Sequence, residues 1–310
     1  MTEVLAIDLG GTKVEAALVR EDGEVVSGSR FRAETGAAAA RDAAVATDAI
    51  GTVVSSALAC ATDVAAVGVG SAGPIDLGRG AVSPLNLPAL VDYPLADVVR
   101  AASGLDRVSV RLDGTCIALA EYAYGAARGT ANALVMVVST GVGGGLISDG
   151  RLVSGLTGNA GHLGQMLIGD PDHDLRGATV EGVASGPATI AWARSHGWSG
   201  STGEQLAESY AGGDDVARRA VRRSARAVAH GLVSATTLLD LEVAVIGGGF
   251  VAVADDYVAL VQEQIAPAAV NAYAAKLRVQ AAALGSQSPL VGAAALIHRA
   301  DLLGARPTER

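Results

Sequence analysis

Asp113 lies in Arg111-Leu112-Asp113-Gly114-Thr115, where a strand pattern ends and a helical pattern begins. A carboxylate at such a junction has two uses. It can cap the helix, because Asp before a helix is common, or it can accept the proton of an alcohol while a phosphoryl group moves in line. The second use requires phosphate-binding groups elsewhere in the chain. Asp8-Leu9-Gly10-Gly11-Thr12-Lys13 fits that need: two glycines let backbone N–H groups approach phosphate oxygens, Thr12 adds a hydroxyl and Lys13 a charge. An ordinary hairpin with a Gly-Gly bend is the plainer reading, but Lys13 and Lys276 are the only lysines in an Arg-rich chain. A compact charge is therefore a specific choice at residue 13. Ser139-Thr140-Gly141-Val142-Gly143-Gly144-Gly145 repeats the bend, and a strand so rich in glycine packs poorly by itself. Gly247-Gly248-Gly249 follows a buried strand pattern and offers N–H donors on the adenosine side of a nucleotide; turn chemistry alone also explains such a run.

These residues need strands and helices to hold them. Residues 4–8, 14–19 and 24–30 read as a three-strand meander, 41–60 as a helix, 64–70 as a buried strand and 108–112 as a strand feeding a helix over 115–127. The pattern then starts again. Residues 133–139, 144–148 and 151–154 read as strands, followed by helices at 187–196 and 214–239. A strand at 243–246, a helix after Gly249, a strand near 277–281 and a closing helix near 289–302 complete the chain. Two meander-plus-helix halves predict an α/β chain of the actin-like ATPase (ribonuclease H-like) fold, two lobes around a central cleft. The expected lobes are 1–112 plus about 286–310, and 113–285.

Composition narrows the function classes. At 310 residues the chain exceeds the usual size of one compact core, and half of it is hydrophobic with 18% charged, which excludes disorder. The formal charge of -9 argues against nucleic acid as a partner, since phosphate backbones need clustered Lys and Arg. The start Met1-Thr2-Glu3-Val4 lacks a signal peptide's basic and apolar regions, and no apolar run is long enough for a membrane span. With only Cys60 and Cys116, the expectation is a reducing, cytoplasmic environment and no membrane partner.

Beyond the bends, Gly158-Asn159-Ala160-Gly161-His162-Leu163-Gly164-Gln165 and Val180-Glu181 stand in order and spacing that, with them, resemble the ROK family over nearly the whole chain. The family contains ATP-dependent hexose and amino-sugar kinases and sugar-responsive repressors; with seven residues ahead of Asp8, the kinase branch is expected. The resemblance implies that Asp8, Gly10, Gly11, Thr12, Lys13, Thr140 and Gly141 bind ATP phosphates and that Asp8 helps to position Mg²⁺ through water. It further implies that Asp113 is the base and that Gly73, Asn86, His162 and Glu181 contact the sugar. Asn86, between Pro84 and Pro88, also reads as a turn residue, and Glu181 as a first-turn helix charge. A homodimer or homotetramer is implied as well.

Three departures matter. Most of the family holds zinc with one His and three Cys, whereas Gln165 and the stretch from Asp172 to Thr179 supply no cysteine, so a zinc-free enzyme is expected. His173 then reads as an exposed loop residue. His162 replaces a common Glu, as in a subset resembling N-acetylmannosamine kinases. Leu112 replaces an Asn that contacts hydroxyls in the middle of the ring, and Leu neither donates nor accepts. The expected reaction is phosphorylation of the primary (6-) hydroxyl of a hexose or amino sugar such as kanosamine, N-acetylmannosamine or a glucose-like sugar. A cyclitol kinase or a non-catalytic sugar sensor of the same fold are the alternatives.

Overall fold

A computed structural model describes residues 2–169 and 177–304. The chain divides into two compact units, Met1–Arg128 with Gly145–Gly161 and Ser286–Arg310, and Gly129–Gly144 with His162–Gly285.

In the first unit, β1 (Glu3–Leu9), β2 (Lys13–Val19) and β3 (Phe31–Glu34) form the meander. The third strand comes later than the sequence reading placed it, at 31–34 instead of 24–30. Gly23 and Gly28 both take positive φ, and the Ser29 hydroxyl oxygen accepts from the Leu18 N–H at 3.0 Å, so the segment after β2 pairs with it only at a single bridge between Val19 and Val25 before the chain turns toward β3. The short helix α1 (Gly36–Ala39), α2 (Ala43–Leu58) and β4 (Val64–Ser71) follow, then the small pair β5 (Ile75–Asp76) and β6 (Ala81–Val82). Next come α3 (Leu95–Ser103), β7 (Val108–Leu112) and α4 (Asp113–Ala123).

The first sheet runs β3-β2-β1-β4-β7, with β1, β4 and β7 parallel. Alternation along β1 sends Leu5, Ile7 and Leu9 into one apolar cluster with α2 and α3, and Val4 and Ala6 into another with α4 and the last helix. Each such buried Leu or Ile contributes about 1.5–3 kcal/mol of hydrophobic stabilisation.

The chain continues through β8 (Ala133–Val138), β9 (Val142–Ser148) and β10 (Arg151–Leu152) to α5 (Val180–Ala184), α6 (Gly186–Ser195), α7 (Gly203–Ala211) and α8 (Asp215–Leu239). It ends with β11 (Val243–Gly247), α9 (Tyr257–Ala268), β12 (Arg278–Ala281) and α10 (Ser288–His298). In the second unit β11 pairs in parallel with both β8 and β12. Helices α5, α6, α7 and α9 all pack on α8, whose buried face is mostly Ala, Val and Leu with Ser224, Gly231 and Thr236 among them.

The packing boundary falls at 128/129, not at the expected 112/113. Helix α4 lies against α10 in the first unit, and a Cβ on Gly292 of α10 would overlap the Cys116 carbonyl of α4. That close approach keeps the helix with the sheet before it. The helix expected over 115–127 begins at Asp113 and stops at Ala123, where the Glu121 carboxylate accepts from the Ala126 N–H at 2.9 Å. Gly249 opens a 3-10 turn over Gly249–Val253, and the helix expected directly after it starts only at Tyr257.

Candidate active site

Parallel strands end together, and their carboxyl ends are where α/β sheets bind ligands. Leu9 of β1 is in register with Ser71 of β4, and Ser71 with Leu112 of β7. Three segments therefore leave the sheet at one edge: the Gly10–Lys13 bend, the turn holding Gly73, and Asp113. At the bend, the Gly10 N–H donates to the Lys13 carbonyl at 2.9 Å and the Thr35 N–H to the Thr12 carbonyl at 2.9 Å. Gly11 carries no Cβ for a local reason: one would overlap the Asn86 amide. Asn86 is exposed and lies directly against the bend. Gly73 is covered by the Leu112 side chain, which a Cβ would strike.

Asp113 is the first residue of α4, and its Oδ1 accepts from the Gly114 N–H at 2.6 Å. That is a contact with the next residue. The usual N-cap contact reaches two or three residues into the helix. Asp8 has a strongly perturbed carboxyl: burial, the Asp113 charge and the Glu15 charge push it up to about 7 against the pull of Lys13 and Arg30. Glu15 stands opposite Asp8 on β2. Burial alone would raise Glu15, but Lys13 at 2.8 Å and Arg30 at 3.2 Å hold it below the usual carboxylate range. Lys13 thus already carries a partner in the ligand-free protein.

The second unit builds a similar edge. Val137 of β8 is in register with Gly247 of β11, so the Ser139–Gly141 bend and the Gly247–Gly249 run leave their sheet together. The bend closes through the Ser139 N–H to the Gly141 carbonyl at 2.8 Å, and Thr140 is exposed. Gly248, at φ +104°, lies so close to the Val138 backbone that a Cβ would overlap its carbonyl. Close packing of β11 against the bend therefore requires this glycine.

Glu181, near the start of α5, is tied to the bend: its Oε2 accepts from the Val142 N–H at 2.8 Å and its Oε1 from Gln165 Nε2 at 3.1 Å. Sequence reasoning assigned Gln165 only as a departure from a zinc ligand. Its partnership with Glu181 was missed, and the shared Gly-His-Leu-Gly-Gln motif was the available signal. His162 is exposed just ahead of the short turn Leu163–Gln165. Among the described residues no group of three or more His, Cys, Asp or Glu could hold a metal, Cys116 is buried in α4, and Cys60 follows α2. His173 and the rest of the stretch from Asp172 to Arg176 lie outside the described residues.

Replacing Gly11 with Ala tests the link between bend and Asn86. Only the end of a side chain must move, so thermal stability should change by less than about 1 kcal/mol. If Asn86 contacts the sugar, as the family resemblance implies, its displacement should raise the KM for sugar at least about tenfold, as steady-state kinetics would measure.

Known proteins resemble this chain in sequence and fold. A model described as the ROK family matches residues 4–300. An N-acetylmannosamine kinase of Escherichia fergusonii is 34% identical over 291 residues, covering 91% of this chain and 96% of that protein. The crystal structure of a ROK family glucokinase from Streptomyces griseus, in complex with glucose and AMPPNP, superposes with a TM-score of 0.82 at 29% identity, covering 96% and 99%. A ROK hexokinase from Thermus thermophilus gives 0.79 at 30% identity, covering 94% and 96%. The expected actin-like α/β fold is the fold of these neighbours. Among the described residues no helix is long and apolar enough to cross a membrane.

Proposed function

Since the chain belongs to the ROK family, we propose that it is an ATP-dependent kinase that phosphorylates the primary (6-) hydroxyl of an amino sugar, N-acetylmannosamine first among the candidates. The observation that carries this is the strand edge where Asp113 and the Gly10–Lys13 bend emerge together, one supplying a base and the other phosphate donors. The choice of sugar rests on His162 and on relatives named for that activity. Kanosamine and glucose-like sugars come next, and Leu112 over Gly73 favours rings without a polar demand at that point.

In the mechanism, Asp113 accepts the proton of the primary hydroxyl as its oxygen bonds to the γ-phosphorus and the bond to ADP breaks. Gly10 closes the bend through its N–H, and the N–H groups of Gly11 to Lys13 and of Thr140 and Gly141, with the Thr12 hydroxyl and the Lys13 ammonium, bind the phosphates. Asn86, Gly73, His162 and Glu181 orient the sugar, and Gly247 to Gly249 lie on the adenosine side. Gln165 and the Val142 N–H fix the Glu181 carboxylate. The residues also fit a divalent cation: Asp8 is a carboxyl crowded by Asp113 and Glu15, and a cation beside it relieves that repulsion. Mg²⁺, when bound, neutralises the triphosphate charge.

Coupled ADP release over a panel of sugars is the direct test. Turnover should be highest with N-acetylmannosamine; ATP hydrolysis indifferent to every sugar and amino sugar in the panel would refute the proposal. Metal analysis of the same purified enzyme should find well below one zinc per chain, because Gln165 stands in place of a ligand.

A further inference from the structure

Helix α8 carries Arg219, Arg222, Arg223 and Arg226 on its solvent side, within a chain of net charge -9. Spaced three and four residues apart, these side chains share one face, where like charges destabilise a helix by about 0.2–0.5 kcal/mol per pair. Helix stability therefore does not explain the cluster.

Neither do ion pairs. Among the described residues, no carboxylate lies within salt-bridge distance of any of the four. Arg223 is half-buried, donates to the Val183 carbonyl at 3.0 Å and stands over the Trp192 ring at 5.6 Å. Burial and the neighbouring Arg226 both press its pKa down, so the guanidinium is held at a cost. Trp192 in turn stacks on His196, with ring centroids 3.8 Å apart, and the His196 ring is fixed by the Trp192 carbonyl at 2.8 Å.

The two features meet in a groove of about 430 Å³ formed by α6, α8 and α9, with Leu260 and a single carboxylate, Glu263, on the α9 side. A groove of that size fits a small molecule. Guanidinium groups bind phosphate through paired N–H donors, and a stacked aromatic pair offers a flat apolar surface beside them. Helix α6 separates the groove from the phosphate bend: its first residue, Gly186, donates to the Ser139 carbonyl, whereas Trp192 and His196 lie six and ten residues further on. At 1.5 Å per residue the offset is roughly 9–15 Å.

We propose that this groove is a second ligand site, taking a small phosphorylated molecule with its phosphate on Arg219, Arg222 and Arg226 and a planar ring against Trp192 and His196. The site is a binding site and needs no part in phosphoryl transfer.

The test uses the full-length enzyme saturated with a non-hydrolysable ATP analogue, so that the bends are filled. Titration with uridine 5′-monophosphate and, separately, with inorganic tripolyphosphate is followed by intrinsic Trp fluorescence and by calorimetry. Both probes should bind saturably, the nucleotide quenching Trp192 emission and tripolyphosphate changing it less. An Arg222→Gln, Arg226→Gln double variant should bind both at least about tenfold more weakly, while its sugar-kinase turnover without probe stays at the parent level. Trp192→Phe should weaken the nucleotide selectively. Absence of saturable binding, binding unchanged in the double variant, or displacement of the ATP analogue by either probe would overturn the proposal. Because the readout is binding, these results are independent of which sugar the enzyme phosphorylates.

Discussion

An Asp113→Asn protein should lose turnover by about 10²–10⁴-fold, the usual contribution of a general base, with sugar affinity retained within a few-fold. The substitution is nearly isosteric. The amide oxygen can still accept from the Gly114 N–H that Asp113 engages at 2.6 Å, so the start of α4 has no reason to unravel. What is removed is the basic carboxylate and its charge. A second consequence distinguishes this from a general disturbance: Asp113 is one of the charges that raise Asp8, so the Asp8 carboxyl should titrate lower in the variant. Coupled ADP release gives the turnover, calorimetry with sugar gives the affinity, and thermal unfolding checks the fold. Full activity in the variant would remove Asp113 from the chemistry.

Much of the scaffold around Asp113 was legible in the sequence because it follows from short-range rules. Stretches rich in β-branched and apolar residues became the parallel strands β1, β4 and β7, and the Gly-Gly step became the bend before Lys13. The sequence reading failed where side chains decide the backbone's course. Residues 24–30 begin to pair with β2 at the Val19–Val25 bridge, yet the Ser29 hydroxyl and the positive φ of Gly28 end that pairing in a turn before a full strand forms. Helix α7 was not read at all. Its sequence, Gly-Glu-Gln-Leu-Ala-Glu-Ser-Tyr-Ala, has little apolar periodicity and buries only Leu206, so the cap from Thr202 to the Gln205 N–H was the main signal. The Gly247 triplet shows a third limit. Motif reading gave it a ligand-facing use, whereas Gly248 also has a packing reason that only the closeness of Val138 discloses. Gln165 is the mirror case: read as a missing ligand, it holds Glu181.

Asp8 carries the sharpest conflict between stability and function, and pH should expose it. Its carboxyl is raised to about 7 in the folded protein, from an ordinary value of 3.8. A group whose pKa is raised by folding contributes stability that is fully present below its unfolded value and is lost as pH climbs through the folded one. The ligand-free protein should therefore lose stability between about pH 4 and pH 7 on account of Asp8. A rise of this size corresponds to at most about 4 kcal/mol, and less for the part of the carboxylate that water reaches. Glu15 acts in the opposite sense. Held low by Lys13 and Arg30, it stabilises above its unfolded pKa and stops doing so as pH falls below that range. Asp8→Asn isolates the first contribution. At pH 8, without nucleotide or Mg²⁺, the variant should melt several degrees above the parent, and the gap should shrink steadily as pH falls, closing only below about pH 4, where the parent's carboxyl is protonated in the unfolded chain as well as in the fold. Its kinase turnover should meanwhile fall by at least about a hundredfold, since the amide cannot offer a cation the same charge. Equal pH dependence of melting in parent and variant would show that Asp8 is not the strained group. Recovery of the parent's pH 8 stability on adding Mg²⁺, with none in the variant, would tie the raised carboxyl to cation binding: the charge that weakens the empty protein is the one the phosphate site needs.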